Sequence, residues 1–140
     1  MALWRFLEYV TEDGRNLVAE WYEVQDPEVQ AEFDVTLLLL SATEDWEDEE
    51  FEAFKPLTKK HAGLGEIRFY INALAPGARQ AHRRRFRPVG IWPPSTKREF
   101  VLILGCEKRG RQSIPHDAFG LALRHKALLE EGRGTTHERI

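Results

Sequence analysis

The spacing of apolar residues along this chain switches between a period of two and a period near 3.6, and the switches mark the elements. Leu3 to Val10 reads as a first strand, where Trp4, Phe6, Tyr9 and Val10 suit a half-buried pleated surface. Asp13-Gly14 makes a turn. Asn16 to Val24 then reads as a short helix with Leu17, Val18, Trp21 and Val24 on one face. Asp26-Pro27 opens a second helix, with Asp at the N-cap and Pro in the first turn. On it Val29, Phe33, Leu37 and Leu40 recur at helical spacing. An acidic stretch follows, Glu44, Asp45, Glu47 to Glu50 and Glu52, interleaved with Trp46, Phe51 and Phe54. It reads as a solvated loop or helix end that the aromatics pin to the body.

Beyond Gly63 and Gly65 the period is two. From Glu66 to Ile71, Ile67, Phe69 and Ile71 share one face, and Glu66, Arg68 and Tyr70 the other. Ala75-Pro76-Gly77 ends this strand. The next spans about Arg83 to Trp92, where Pro88 and Gly90 imply an irregular or edge position. Pro93-Pro94-Ser95 makes a turn, and Glu99 to Lys108 is the strongest strand, with Phe100 to Leu104 as a buried central run. Ser113-Ile114-Pro115 opens a last helix that Gly132 stops. Residues 1–132 thus read as one domain, and 133–140 as a polar, frayed tail. The order β-α-α-β-β-β-α argues an α+β fold, with helices packed on a small, mainly antiparallel sheet.

Composition narrows the class. No apolar run approaches the roughly 20 residues of a membrane span, and the longest aliphatic stretch is Leu37 to Leu40. The first residues lack a signal-peptide layout, and Cys106 is the only cysteine, so no internal disulfide forms. The expectation is a cytoplasmic protein with no membrane association. The five histidines show no metal-ligand spacing, and no phosphate-binding glycine loop or Gly-x-Ser-x-Gly elbow occurs. We expect no metal and no other cofactor.

The formal charge of −3 conceals an asymmetry. Residues 1–52 hold 2 Lys/Arg and 16 Asp/Glu, while residues 53–140 hold 18 Lys/Arg and 7 Asp/Glu. Either the basic half meets a polyanion, or the two halves fold together and partly neutralise each other. The acidic stretch either faces away from the basic surface or covers it.

Several short motifs, in order, resemble one family. Trp4-Arg5-Phe6 opens the first strand, and Gly14-Arg15-Asn16 leads into a helix containing Glu20-Trp21. Phe54-Lys55-Pro56-Leu57 precedes Gly63-Leu64-Gly65-Glu66-Ile67-Arg68-Phe69. Arg85-Phe86-Arg87, then Phe100 to Lys108, then Pro115 to Arg124 complete the series, which covers about residues 3–130. The series resembles the RelE/HigB-like toxin superfamily of type II toxin–antitoxin systems, in particular its phage-derived branch. The resemblance implies a RelE-like fold and a toxin neutralised by a cognate antitoxin, often a helix-turn-helix protein. It also implies cleavage of messenger RNA, commonly on the ribosome.

Metal-independent RNA cleavage turns the 2′-hydroxyl on the adjacent phosphorus. It needs a base, an acid and positive charge on the phosphorane. Arginine suits the charge role, and lysine or histidine carries protons better. Arg68, Arg85 and Arg87 are the candidates for phosphate contact and charge stabilisation. Lys108, mainly on its family position, and then His116 are the candidate proton carriers. Lys59, Lys60, Arg83, Arg84, Arg109 and Arg111 are candidate RNA contacts, and Tyr70, Phe86 and Trp92 candidate stacking surfaces. Arg83, Arg85 and Arg87 alternate onto one strand face, with His82 and Arg84 on the other. Two readings stand: an mRNA endoribonuclease held by an antitoxin, or a non-catalytic module of the same fold, of phage origin, that binds RNA or protein.

Overall fold

The computed structural model describes residues 2–73, 82–94 and 98–139. Its first half runs β1 (Arg5–Val10), α1 (Leu17–Glu23), α2 (Pro27–Ser41), β2 (Phe54–Pro56), a 3₁₀ turn (Lys59–His61), β3 (Leu64–Ile67) and β4 (Phe69–Ala73). Then come β5 (His82–Phe86), β6 (Val89–Ile91), β7 (Glu99–Leu104), β8 (Glu107–Arg109), β9 (Gln112–Ile114), α3 (Ala118–Glu130) and β10 (Thr135–Glu138). The fold is α+β. The Ala75-Pro76-Gly77 break and Ser95 lie outside the described residues.

Two sheets form where one was expected. A six-stranded sheet has the order β10-β1-β7-β6-β3-β2, and an antiparallel four-stranded sheet the order β4-β5-β8-β9. The first is mixed, because β1 runs parallel to β7. Each of the three strands read as continuous bends from one sheet into the other, at Arg68, at Arg87-Pro88 and at Gly105-Cys106. Backbone bonds brace the bends: Ile67 N–H donates to Pro88 O at 2.8 Å, Arg87 N–H to Cys106 O at 2.8 Å and Arg68 N–H to Ala53 O at 2.7 Å. Proline lacks an N–H for a ladder, so Pro88 suits a break. Gly105 is required for a different reason. A Cβ there would fall 2.0 Å from the Trp21 ring, so the indole packs directly on the bent backbone. Strands that switch sheets at such bends make the corners of packed sheets.

The helices follow their apolar stripes. Asn16 caps α1 by accepting from Ala19 N–H at 3.0 Å. Helix α2 buries Val29, Phe33, Leu37 and Leu40, the stripe the periodicity predicts, together with Thr36. Asp26 occupies its N-cap position but makes no capping bond; its carboxylate instead lies 3.8 Å from Arg84. Aromatic rings fill the space beyond the end of α2. Trp46 is 1% exposed and stacks on Trp4 (centroids 4.3 Å apart) and Trp92 (5.4 Å). Its indole N–H donates to Leu40 O at 2.9 Å. These contacts anchor the acidic stretch.

Two termini of elements differ from the sequence reading. Residues 112–114 pair with β8 as β9, so α3 begins at Ala118 and not near Pro115. Residues 135–138, expected to fray, form β10 along the free edge of β1. Their side chains are all exposed, so backbone pairing and not apolar burial drives the strand. Buried Glu8 locks it, accepting from Arg139 Nη1 at 2.7 Å and lying 3.2 Å from His137 Nε2. No described helix is long and apolar enough to cross a membrane.

Substituting Gly105→Ala forces Trp21 off the bend. Overpacking of this kind costs about 1–3 kcal/mol, so the urea midpoint should fall with the m-value unchanged. An unaltered midpoint would show that the indole does not hold the corner.

Candidate nucleic-acid interface

The pairing of β4 with β5 sorts the arginines. Tyr70 sits opposite Arg85 and Asn72 opposite Arg83, so these four share the face away from the buried Phe69 and Phe86. Arg83 extends over the Tyr70 ring, its guanidinium carbon 4.1 Å from the centroid, a cation–π contact. Arg68, Arg83, Arg85 and Arg87 line a groove of about 1100 Å³. Glu28, Glu32, Thr36 and Leu39 of α2, residues 46–56 and residues 69–72 line it with them, so the acidic stretch shares a groove with the arginines it was expected to cover or to face away from.

Arg87 also walls a second, smaller cavity of about 330 Å³. There it meets Glu66, Lys108, Arg111, Lys55 and His61. Glu66 is 5% exposed and accepts from Arg68 Nε at 2.8 Å, and its Oε1 lies 4.0 Å from Arg87 Nε. Arg87 donates from Nη1 to Phe86 O at 2.8 Å. Burial pulls its guanidinium below the ordinary arginine value, with Glu66 opposing. A largely buried cation at the wall of a cavity holds an anion that reaches it more strongly than an exposed one does. Lys108 pairs in register with Arg85 across β5 and β8, so a residue of the cavity sits beside a residue of the groove.

The remaining candidates divide. Arg84 turns to the opposite face, as the alternation requires, and is engaged there by Glu107 at 3.0 and 2.8 Å. That hydrogen bonding raises its pKa. Burial pushes the Glu107 carboxyl up, but Arg84 and Arg109 outweigh it and the carboxyl lies below its ordinary value. Arg109 is 3.6 Å from Glu107 on an exposed rim. Lys59 and Lys60 are exposed on the 3₁₀ turn and line neither cavity. His116 is exposed and likewise lines neither, whereas His61, unremarked in the sequence, lies in the smaller cavity with its ring edge-on to Phe119. Phe86 is fully buried, so it has no free face for a base; Trp92 belongs to the aromatic stack of Trp46. Tyr70 is exposed.

The two-residue alternation places Glu66 on the polar face with Arg68 and Tyr70, yet it is buried. Its burial follows from the bend after Ile67, which no two-residue period reports. Cys106 donates from its thiol to Arg87 O at 2.9 Å, and burial pushes that thiol up to about 12. It is no nucleophile at neutral pH. Among the described residues no group of three or more His, Cys, Asp or Glu side chains is placed to hold a metal ion. No family model matches the sequence, and no curated protein or solved structure matches the chain.

Two outcomes follow from these ionisations. The depressed Glu107 value means the pair contributes stability above the unfolded carboxylate range, and loses it as pH falls through the folded value. The destabilisation by Arg84→Gln should therefore shrink between about pH 7 and about pH 3; equal urea-midpoint differences at both would refute the coupling. Iodoacetamide at neutral pH should leave native Cys106 unmodified and label it in urea, read by mass spectrometry.

Proposed function

We propose that this chain is the toxin of a type II toxin–antitoxin pair, a RelE-like endoribonuclease that cuts messenger RNA without a metal. One observation carries the reading: Arg83, Arg85 and Arg87 line the groove, and Arg87 also lines the smaller cavity together with Lys108 and buried Glu66. An RNA strand lying in the groove has arginine forks for its phosphates and the exposed Tyr70 ring for a base.

In this mechanism the 2′-oxygen bonds to phosphorus and the bond from phosphorus to O5′ breaks. The products are a 2′,3′-cyclic phosphate and a 5′-hydroxyl. The 2′-hydroxyl loses a proton to a base, and the leaving oxygen gains one from an acid. Arg87 holds the charge that grows on the phosphorane. Glu66 fixes Arg68 beside it by a 2.8 Å bond, which lowers the cost of orienting that cation. Lys108 carries protons, and His61 is the imidazole that shares its cavity. A cytoplasmic protein neutralised by a helix-turn-helix antitoxin completes the reading.

A second reading, a non-catalytic RNA- or protein-binding module of the same fold, is favoured by the acidic wall. Residues 47–52 line the same groove as the arginines, and their carboxylates oppose the entry of a polyanion. Inducible expression with mapping of RNA 5′ ends separates the two. Growth arrest with new 5′ ends is expected, and Arg87→Ala should lower cleavage by roughly 100-fold or more while the protein stays folded. Normal growth with intact RNA, from soluble folded protein, would sink the nuclease. Arg83→Ala should weaken RNA binding and reduce its salt slope by about 1; an unchanged slope would take Arg83 out of the interface.

A further inference from the structure

Helix α2 has two apolar faces, and only one of them is used. Val29, Phe33, Leu37 and Leu40 are buried, but Val35, Leu38 and Leu39 are 56, 69 and 51% exposed. Single exposed aliphatics are ordinary, whereas three at i, i+3 and i+4 form a contiguous strip. Leu3, itself exposed, lies at the end of the helix, where its N–H donates to Ser41 O at 2.6 Å.

The strip lies in an acidic part of the chain, of which Asp34 and Glu44 are paired by Arg139 and Arg98. Residues 16–54 contain thirteen Asp and Glu and no Lys or Arg. Glu28 and Glu32 precede the strip on α2, and the acidic stretch follows it. Glu28, Glu32, Leu39 and residues 46–54 line one groove, which the arginines also line. Its acidic lining is pre-formed. Trp46 is anchored in the aromatic stack, Glu47 accepts from Trp92 Nε1 at 3.2 Å, and Asp45 and Asp48 close turns on the N–H groups of Glu47 and Glu50 at 2.9 Å. A surface already ordered costs little more to order on binding.

We infer that this face of α2 is the docking surface for a basic amphipathic helix of a partner protein, with large aliphatics at its centre and Lys or Arg at both ends. Charge selects this occupant. The strip is flanked on its own helix by Glu28, Glu32 and Asp34 and by no Lys or Arg, so, unlike the arginine-lined part of the groove, it offers RNA or an anionic membrane no cation of α2. A second copy in an isologous contact would set the same acidic flanks against each other. A cationic helix gains both the apolar strip and faster, steered association. Because Leu39 and Glu32 belong to the groove wall, such a helix would sit at the rim of the arginine groove. The inference does not rest on RNA cleavage, since docking is read whether or not RNA is cut.

The test is a titration of the full chain with a synthetic helical peptide of about 18 residues, leucines at i, i+3, i+4 and i+7 and lysines at both ends. Amide NMR shifts locate the site. Saturable binding is expected, with perturbed amides confined to α2 and residues 44–52. Leu38→Ser with Leu39→Ser should weaken it at least roughly tenfold, and added salt should weaken it further. Both substitutions are at exposed positions, and circular dichroism confirms that the variant folds. Three results would overturn the inference: equal binding of a peptide ending in glutamates, equal binding by the double variant, or a free protein that is a dimer dispersed by that variant.

Discussion

The contact of the Trp21 indole with the bare backbone of Gly105 governs the rest of the molecule. It presses α1 onto the point where the strongest strand turns out of one sheet and into the other. The two neighbouring strands bend at the same level, tied by bonds from Ile67 to Pro88 and from Arg87 to Cys106. A flat sheet would spread Arg68, Arg87 and Lys108 over one surface. The bend instead folds that surface on itself and makes the cavity that holds Glu66 and Arg87 together.

Charge is arranged in two tiers. Inside, three buried carboxylates each hold an arginine: Glu8 with Arg139, Glu66 with Arg68 and Glu107 with Arg84. Breaking a buried pair leaves an uncompensated charge and is costly, so these pairs fix partners more than they add net stability. Outside, Arg139 reaches Asp34 and Arg84 reaches Asp26, so cations of the second half partly neutralise the first. Those exposed links contribute little. Of the groove arginines, Arg68 and Arg87 share Glu66, so mutual neutralisation accounts for part of the lopsided sequence.

Much of this was legible in the chain because it depends on period alone. The 3.6-residue stripe of α2 predicted its buried face, and the two-residue alternation separated Arg84 from Arg83, Arg85 and Arg87. What depends on contacts distant in sequence was not legible. The bends at Arg68 and at Gly105-Cys106 look like continuous strand locally, since only the packing of Trp21 and the pairing of Ala53 create them. Short polar strands such as β9 and β10 carry no apolar signal at all. His61 joins the cavity through a 3₁₀ turn that follows no pattern, so its place beside Lys108 could come only from the fold.

The position of β1 has a consequence for how the chain folds. It lies between β7 and β10, and its first residue, Arg5, finds side-chain partners 94 and 133 positions downstream. Both sheet neighbours of β1 lie far downstream of it, so its ladders form only by closing long loops, a topology that slows folding because loop entropy is spent before the pairing repays it.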